Sequence, residues 1–239
     1  MSNFIVYSLY GNRLKYVLGA LVAARRNTFI YPEWQQVFYI DSSVPRWLVK
    51  RLSLKGYSLI EGSPSIHNKM MWRFQTHLLP DADYVLFRDV DSWPLRREAE
   101  LVARWIESGK DFHVIRDHPF HTYGIMGGLW GCRYREGIFP QDAIELNKFG
   151  SAYGADIEFL ETNVYPLLRG RSLIHDGFFF VEEESQKIPR RALSFHGMTW
   201  WPSASLMLSM LKNLDVYLFP SGDLRLKCTE IIRSRLYAR

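Results

Sequence analysis

Short apolar runs alternate with amphipathic stretches along the first half of the chain. Residues 4–10 are dense in β-branched and aromatic side chains and close on the turn pair Gly11-Asn12, which predicts a strand. Leu14, Val17, Leu18 and Leu21 then recur at helical spacing to about Arg26, where Asn27-Thr28 and Pro32 stop the pattern. Residues 37–40 predict a second strand ending in Asp41. Ser43 is placed to cap a helix with Pro45 in its first turn and Leu48 and Leu52 facing inward. A third strand at 57–60 precedes the break at 62–64. A helix marked by Met70, Phe74 and Leu78 ends at Pro80, and residues 84–87 form a fourth strand. This alternation predicts an α/β fold with a mostly parallel central sheet flanked by helices, its first half a Rossmann-like nucleotide-binding unit.

Beyond residue 92 the pattern continues less regularly. A helix over 97–107 carries Val102, Trp105 and Ile106 on one face, and 112–115 predicts a fifth strand. Residues 125–130 predict a sixth strand that contains the pair Gly127-Gly128. Residues 156–168 read as helical, 178–181 as one more strand, and 203–213 as a final helix before a basic tail. With no repeat or linker, the expectation is one domain over 1–239. Within it, 1–92 form the nucleotide-binding half, 93–200 the donor-sugar and acceptor half, and 201–239 a helical basic tail.

Composition narrows this picture modestly. The chain is 47% hydrophobic and 15% aromatic, which suits a deep core or sugar-stacking surfaces. A formal charge of +5 permits attraction to phosphates, but the 30 Lys and Arg are scattered among 25 acids rather than clustered as a nucleic-acid binder requires. Two cysteines, Cys132 and Cys228, build neither a disulfide framework nor a metal cluster and fit a reducing compartment. With no signal peptide or membrane-length apolar stretch in the sequence, the expectation is a cytoplasmic protein. The residues Lys227, Arg233, Arg235 and Arg239 suit peripheral contact with anionic lipid, and a solvated terminal helix explains them equally.

The densest chemistry follows the fourth strand, in Tyr84-Val-Leu-Phe-Arg-Asp-Val-Asp-Ser92. In an extended chain Asp89 and Asp91 point the same way, and two close carboxylates repel unless a cation lies between them. Hard oxygen donors suit Mg²⁺ or Mn²⁺, and the carboxyl end of a parallel strand is where open α/β sheets bind ligands. A solvated turn bearing two surface acids is the competing reading. At the end of the first strand, Ser8, Tyr10 and Gly11 stand where a base and ribose would sit, although Tyr10 and Gly11 also make an ordinary strand end and turn. No Gly-x-Gly-x-x-Gly or Gly-Lys-Ser/Thr loop exists, so the charge of a pyrophosphate would fall to a metal and to Arg or Lys. Arg73 and Arg88 are the candidates, and each also reads as a solvated or structural arginine. Asp117 and His118 leave the fifth strand, expected beside the fourth. Gly127, Gly128 and Gly131 suggest close approach to the backbone or a bulge. Asp156 and Glu158 are candidate acids. His175, beside Asp176 at the end of a loop, is a candidate third metal ligand, with His196 as a spare.

Together these residues resemble a nucleotide-sugar-dependent glycosyltransferase of the GT-A fold, in which a fourth-strand Asp-x-Asp is the metal and diphosphate motif. The blocks Phe87-Arg-Asp-Val-Asp-Ser92, Arg97-Glu98, Trp105-x-x-Ser-Gly109, His113-Val-Ile-Arg-Asp-His-Pro119 and Gly127-Gly-Leu-Trp-Gly131 are similar to those of bacterial and viral surface-polysaccharide glycosyltransferases. Tyr153-Gly-Ala-Asp-Ile-Glu-Phe-Leu160 and His175-Asp176 resemble that group's later motifs, and the resemblance runs from about residue 4 to residue 200.

The resemblance implies that Asp89 and Asp91 hold Mn²⁺ or Mg²⁺ against the diphosphate of a UDP- or GDP-linked sugar, with His175 as a third ligand. It implies that Ser8, Tyr10 and Arg73 face the nucleotide, that Asp117 and Gly127-Gly128 border the donor sugar, and that Asp156 lies where sugar meets a glycan or lipid-linked glycan acceptor. Where the group has Gln after that aspartate, this chain has Ile157, which puts any role of that amide in doubt. An inverting course would take Asp156 or Glu158 as base. A sugar-phosphate nucleotidyltransferase is the alternative. It calls for a glycine-rich basic loop after the first strand, and Ser8-Leu-Tyr-Gly-Asn12 is not one.

Overall fold

Period-two alternation in the strands sorts the core into two layers. In the computed structural model, which describes residues 2–92, 94–118, 121, 123–178, 182 and 184–188, the first strand β1 (Ser2–Leu9) sends Ile5, Tyr7 and Leu9 to one face of the sheet and Phe4 and Val6 to the other. Parallel strands β2 (Trp34–Ile40) and β3 (Ser58–Glu61) extend the sheet on one side of β1, and β4 (Ala82–Arg88) pairs with it on the other. Helices α1 (Leu14–Ile30), α2 (Arg46–Leu54) and α3 (Arg96–Ser108) contribute Val17, Leu48, Leu52, Val102 and Trp105 to the layer holding Tyr7 and Phe38. The opposite layer is built around Phe74, Phe87, Trp130 and Phe159, with the rings of Phe87 and Trp130 stacked at 3.9 Å. Much of the aromatic content is therefore core.

Several elements depart from the pattern read in the sequence. Helix α1 runs past Asn27-Thr28 because Asn27 is buried and donates from Nδ2 to the hydroxyl of Tyr7. Its inward stripe is small (Gly19, Ala20, Ala23 and Ala24), while Leu14 is exposed. The apolar spacing of Met70, Phe74 and Leu78 does not make an α-helix. Residues Lys69–Phe74 and Thr76–Leu78 are two 3₁₀ turns, the first capped by Asn68 Oδ1 accepting from Met70 N at 3.0 Å. The stretch 156–168 is helical in three geometries: α5 (Ala155–Phe159), a π turn (Leu160–Val164) and a 3₁₀ turn (Tyr165–Leu168), following the short α4 (Ala143–Asn147).

The largest correction concerns the second half of the sheet. Strand β5 (Phe112–Arg116) does not lie beside β4. Strand β6 (Leu129–Arg133) is inserted between them and runs antiparallel to both, pairing Leu86 with Gly131 and Val114 with Trp130. Gly131 makes this possible, because a Cβ there would sit 2.9 Å from both Leu86 Cδ2 and the Val85 carbonyl oxygen. Residues 125–128 precede the strand rather than belonging to it. A strand unanticipated in the sequence, β7 (Ser172–Asp176), pairs in parallel with β5, so His175 and Asp176 end a strand and not a loop. The short β8 (Gln186–Lys187) completes the order β3-β2-β1-β4-β6-β5-β7-β8. Phe178 lies outside any strand. The remainder of 178–181, His196, the 203–213 helix, Cys228 and the basic tail lie outside the described residues. Among the described residues no helix is long and apolar enough to cross a membrane.

Candidate active site

Alternation along β4 separates Arg88 from Asp89. Tyr84 and Leu86 face the α-helical layer, and Arg88 follows them: its Nε donates to Glu98 Oε1 at 2.8 Å and its Nη1 to the carbonyls of Phe87 and Trp130. Glu98 also accepts from the Tyr31 hydroxyl at 2.9 Å, so Arg88 is committed to a buried ion pair beneath the sheet and does not reach the site. Asp89 follows Phe87 to the opposite face, where its Oδ1 is 2.5 Å from Arg73 Nη1. The chain then turns, with Ser92 N donating to the Asp89 carbonyl at 3.1 Å, so Asp91 is aimed by a turn and not by strand alternation. Its Oδ2 meets Lys15 Nζ at 2.5 Å, near the start of α1. Burial pulls the Lys15 ammonium down, but Asp91 more than reverses this and holds it above the usual lysine range.

Arg73 is the hub. Its buried guanidinium donates from Nη1 to Asp89 and to the Arg88 carbonyl (3.2 Å), and from Nη2 to Asp156 Oδ2 at 2.8 Å. Burial works against its charge and the two carboxylates more than compensate, keeping it firmly protonated. The structure thus brings Asp89, Arg73 and Asp156 together from β4, the first 3₁₀ turn and α5. Gly127 and Gly128 form the floor against them. A Cβ on Gly127 would lie 2.6 Å from Asp156 Oδ2 and 2.8 Å from Arg73 Nη2, and one on Gly128 would overlap the Asp89 carboxylate.

The first-strand residues play supporting parts. Ser8 Oγ donates to the Met70 carbonyl and accepts from Arg73 N, both at 3.0 Å, so it fixes the 3₁₀ turn that carries Arg73. Tyr10 stands edge-on to Trp72 with Lys69 Nζ 6.0 Å from its ring, and burial raises its hydroxyl while Arg73 opposes that rise. Gly11 adopts φ +73° and its N–H donates to Ser43 Oγ at 2.7 Å. Two residues passed over in the sequence also belong here. One is Lys15; the other is Tyr153, which is 96% exposed and within electrostatic reach of Asp89, Asp156 and Lys15. Tyr153 opens one of the resembling motif blocks without an implied role, Lys15 carries no motif, and only the fold puts them beside the acids.

Other candidates are placed elsewhere. His175 is sealed in β7, its Nδ1 2.8 Å from His113 Nε2 and on the side of the sheet where Trp105 stacks on His113. Among the described residues, no group of three or more His, Cys, Asp and Glu side chains is arranged to hold a metal ion. The expectation of His175 as third ligand is therefore corrected: strand register buries it. Asp117 is buried, its Oδ2 accepting from Arg97 Nη2 at 2.7 Å. Glu158 is exposed, whereas Asp156, two residues earlier on α5, is buried. The donor chemistry of Asp89 and Asp91 nevertheless suits a divalent cation. They offer hard oxygens at a mouth where the Asp89 side chain is 46% exposed, and Mg²⁺ and Mn²⁺ sites commonly use one or two carboxylates with substrate phosphates and water completing the shell.

The sheet order and this site at its carboxyl edge define a GT-A-like glycosyltransferase fold. The chain is similar in fold to S. aureus TarS. Against TarS 1–349 the TM-score is 0.51 at 12% identity, covering all of this chain and 72% of that one. Against the same segment solved in complex with UDP it is 0.50 at 13% identity, covering 99% and 71%. A longer TarS structure gives 0.55 at 15% identity, and there the chain spans 43% of the neighbour's length. A glycosyltransferase involved in glycosylating the major capsid protein of PBCV-1 gives 0.46 at 15% identity over 75% of this chain. No protein-family model matches the chain, and no curated protein sequence matches it.

Proposed function

We propose that the chain transfers a sugar from a nucleotide-sugar donor to a glycan acceptor, in the synthesis of a surface polysaccharide or a related glycan. The observation that carries this reading is the Asp89–Arg73–Asp156 bridge over the Gly127-Gly128 floor at the carboxyl edge of the sheet. That edge is where α/β sheets of this kind take nucleotides, and TarS, which shares the fold, has been solved with UDP.

Asp89 and Asp91 would hold Mn²⁺ or Mg²⁺, which supplies Lewis-acid neutralisation of the diphosphate leaving group. Arg73 fixes the Asp89 carboxylate in place and meets part of the negative charge of the donor. Gly127 and Gly128 let Asp156, Arg73 and Asp89 lie directly against the backbone, which fixes the charged groups that would face the donor. Asp156, paired with Arg73 above that floor, is the candidate to orient the acceptor hydroxyl and, on an inverting course, to take its proton. Glu158, turned to solvent, is the weaker candidate. Tyr10 borders the nucleotide pocket through its ring. The nucleotidyltransferase alternative is disfavoured because β1 leads into α1 through Tyr10, Gly11, Asn12 and Arg13 alone, too short for a phosphate-wrapping loop.

Calorimetry against nucleoside diphosphates and nucleotide sugars, with and without Mn²⁺, tests the reading. One nucleotide class should bind in a metal-dependent way, and Asp91→Ala should lose that binding while remaining folded. If no nucleotide binds under any metal condition, the assignment of Asp89 and Asp91 fails and glycosyl transfer fails with it.

A further inference from the structure

The two acids of the site are each already paired with a cation of the chain, and the two cations are held very differently. Arg73 is 5% exposed at its side chain and is bound to Asp89, to Asp156 and to the Arg88 carbonyl, so it cannot leave without breaking three contacts. Lys15 is 39% exposed, sits on the second residue of α1 on a flexible stem, and meets Asp91 Oδ2 with Nζ at 2.5 Å while lying 5.3 Å from the centre of the Tyr16 ring. An ion pair with one partly exposed partner contributes little to stability, because solvent screens it and the long lysine stem loses freedom in holding it. Of the two cations, Lys15 is the one that can yield.

We propose that Lys15 is a built-in counter-ion, which occupies the outward oxygen of Asp91 in the ligand-free protein, is displaced from it by a divalent cation, and then turns its ammonium onto the donor diphosphate. This rests on the reading of Asp89 and Asp91 as metal ligands. It follows from competition: an ammonium 2.5 Å from Asp91 Oδ2 and a divalent cation on the same carboxylate would lie within a few ångströms of each other and repel. Each weakens the other's hold, and Lys15 is the partner that can move. The displaced ammonium is tethered at the mouth of the site, on the α1 side, where a diphosphate drawn to Asp89 and Asp91 through a metal would carry uncompensated charge. Lysine suits that task because it is a mobile point charge rather than a fixed fork. The protein thereby keeps the Asp91 charge balanced at every stage, and metal and nucleotide come to depend on each other.

Binding of Mn²⁺ alone, followed by the electron paramagnetic resonance of the free ion, separates the possibilities without any turnover. Lys15→Met should bind Mn²⁺ about threefold to fivefold more tightly than the wild type, because the competing cation is gone. Lys15→Arg should stay near the wild type, and Asp91→Asn should lose most of the affinity. With Mn²⁺ saturating, calorimetry should show the opposite shift for a nucleoside diphosphate, with Lys15→Met binding it more weakly. Circular dichroism melts confirm that each variant is folded. Mn²⁺ affinity in Lys15→Met that equals or falls below the wild type, with Asp91→Asn still defective, overturns the counter-ion and leaves the metal site standing. Unchanged Mn²⁺ affinity in Asp91→Asn overturns the metal site itself, and the counter-ion with it.

Discussion

Two clusters at the strand ends of this molecule are built from the same ingredients and come to different ends. After β4, Asp89 and Asp91 meet Arg73 and Lys15; after β5 and β7, Asp117, Asp176 and Glu182 meet Arg97 and Arg116. At the second cluster Arg116 and Asp176 are wholly buried, with Nε and Oδ2 3.0 Å apart, and Asp176 Oδ1 also accepts from Phe178 N. Burial alone would raise the Glu182 carboxyl, but Arg116 outweighs it and holds the acid below the usual range. At the first cluster the Asp89 side chain is 46% exposed and Lys15 39%. Acids and arginines at the carboxyl ends of strands therefore do not by themselves mark a ligand site. What separates a clamp from a site is whether solvent, and so a ligand, can reach a carboxylate whose cation can give way.

The comparison is sharpest at Arg116. Arg116→Met leaves Asp176 charged and buried without its partner, and should cost about 3–5 kcal/mol in urea unfolding. Nucleotide affinity lost with no change in stability would turn the clamp into a second ligand site and break the contrast. Arg73→Met takes one cation from two acids at the more open cluster, and is expected to cost about 2–3 kcal/mol and to abolish metal-dependent nucleotide binding in the same calorimetric titration.

A smaller effect is expected at His118, which follows Asp117. Burial holds its imidazole down to about 4, with Asp117 opposing. A histidine neutral in the folded state and charged in the unfolded one contributes stability that is complete above its ordinary value near 6.5 and is lost as the pH falls from there toward about 4. Melting curves across that window should show a loss on the order of 2 kcal/mol that His118→Gln removes. Least of all, Asp91→Asn should shift stability by under about 1 kcal/mol, since it removes an ion pair whose lysine is partly exposed, while eliminating the metal dependence of nucleotide binding.

Much of the first half was legible because β1, β2 and β4 are buried on both faces and announce themselves as dense apolar runs, and the same runs placed Asp89 and Asp91 at a strand end. The errors arose where partners distant in sequence decide. Ser172-Leu-Ile-His-Asp176 is a strand only because Arg116 satisfies its aspartate and His113 its histidine, neither of which a local pattern can supply. The direction of β6 depends on pairing with both β4 and β5. Arg88 looked like a phosphate ligand until its Glu98 partner, ten residues on, took it to the other face. Lys15 gave no signal, since a lysine at the start of an amphipathic helix is ordinarily solvated. Ser8 lay in the right place for a different reason, tethering the turn that carries Arg73.

The antiparallel insertion of β6 also bears on how the chain can be divided. Strand β4 has β1 on one edge and β6 on the other, so a fragment ending at residue 92 would hold four parallel strands and leave the β6-facing edge of Tyr84–Arg88 without its ladder partner. Such a half would carry an open, strongly apolar edge, competent to recruit strands from other molecules. The β4–β6 ladder thus ties the two halves together beside their shared core, and the nascent chain must reach residue 133 before the open edge of its first half is sealed against self-association.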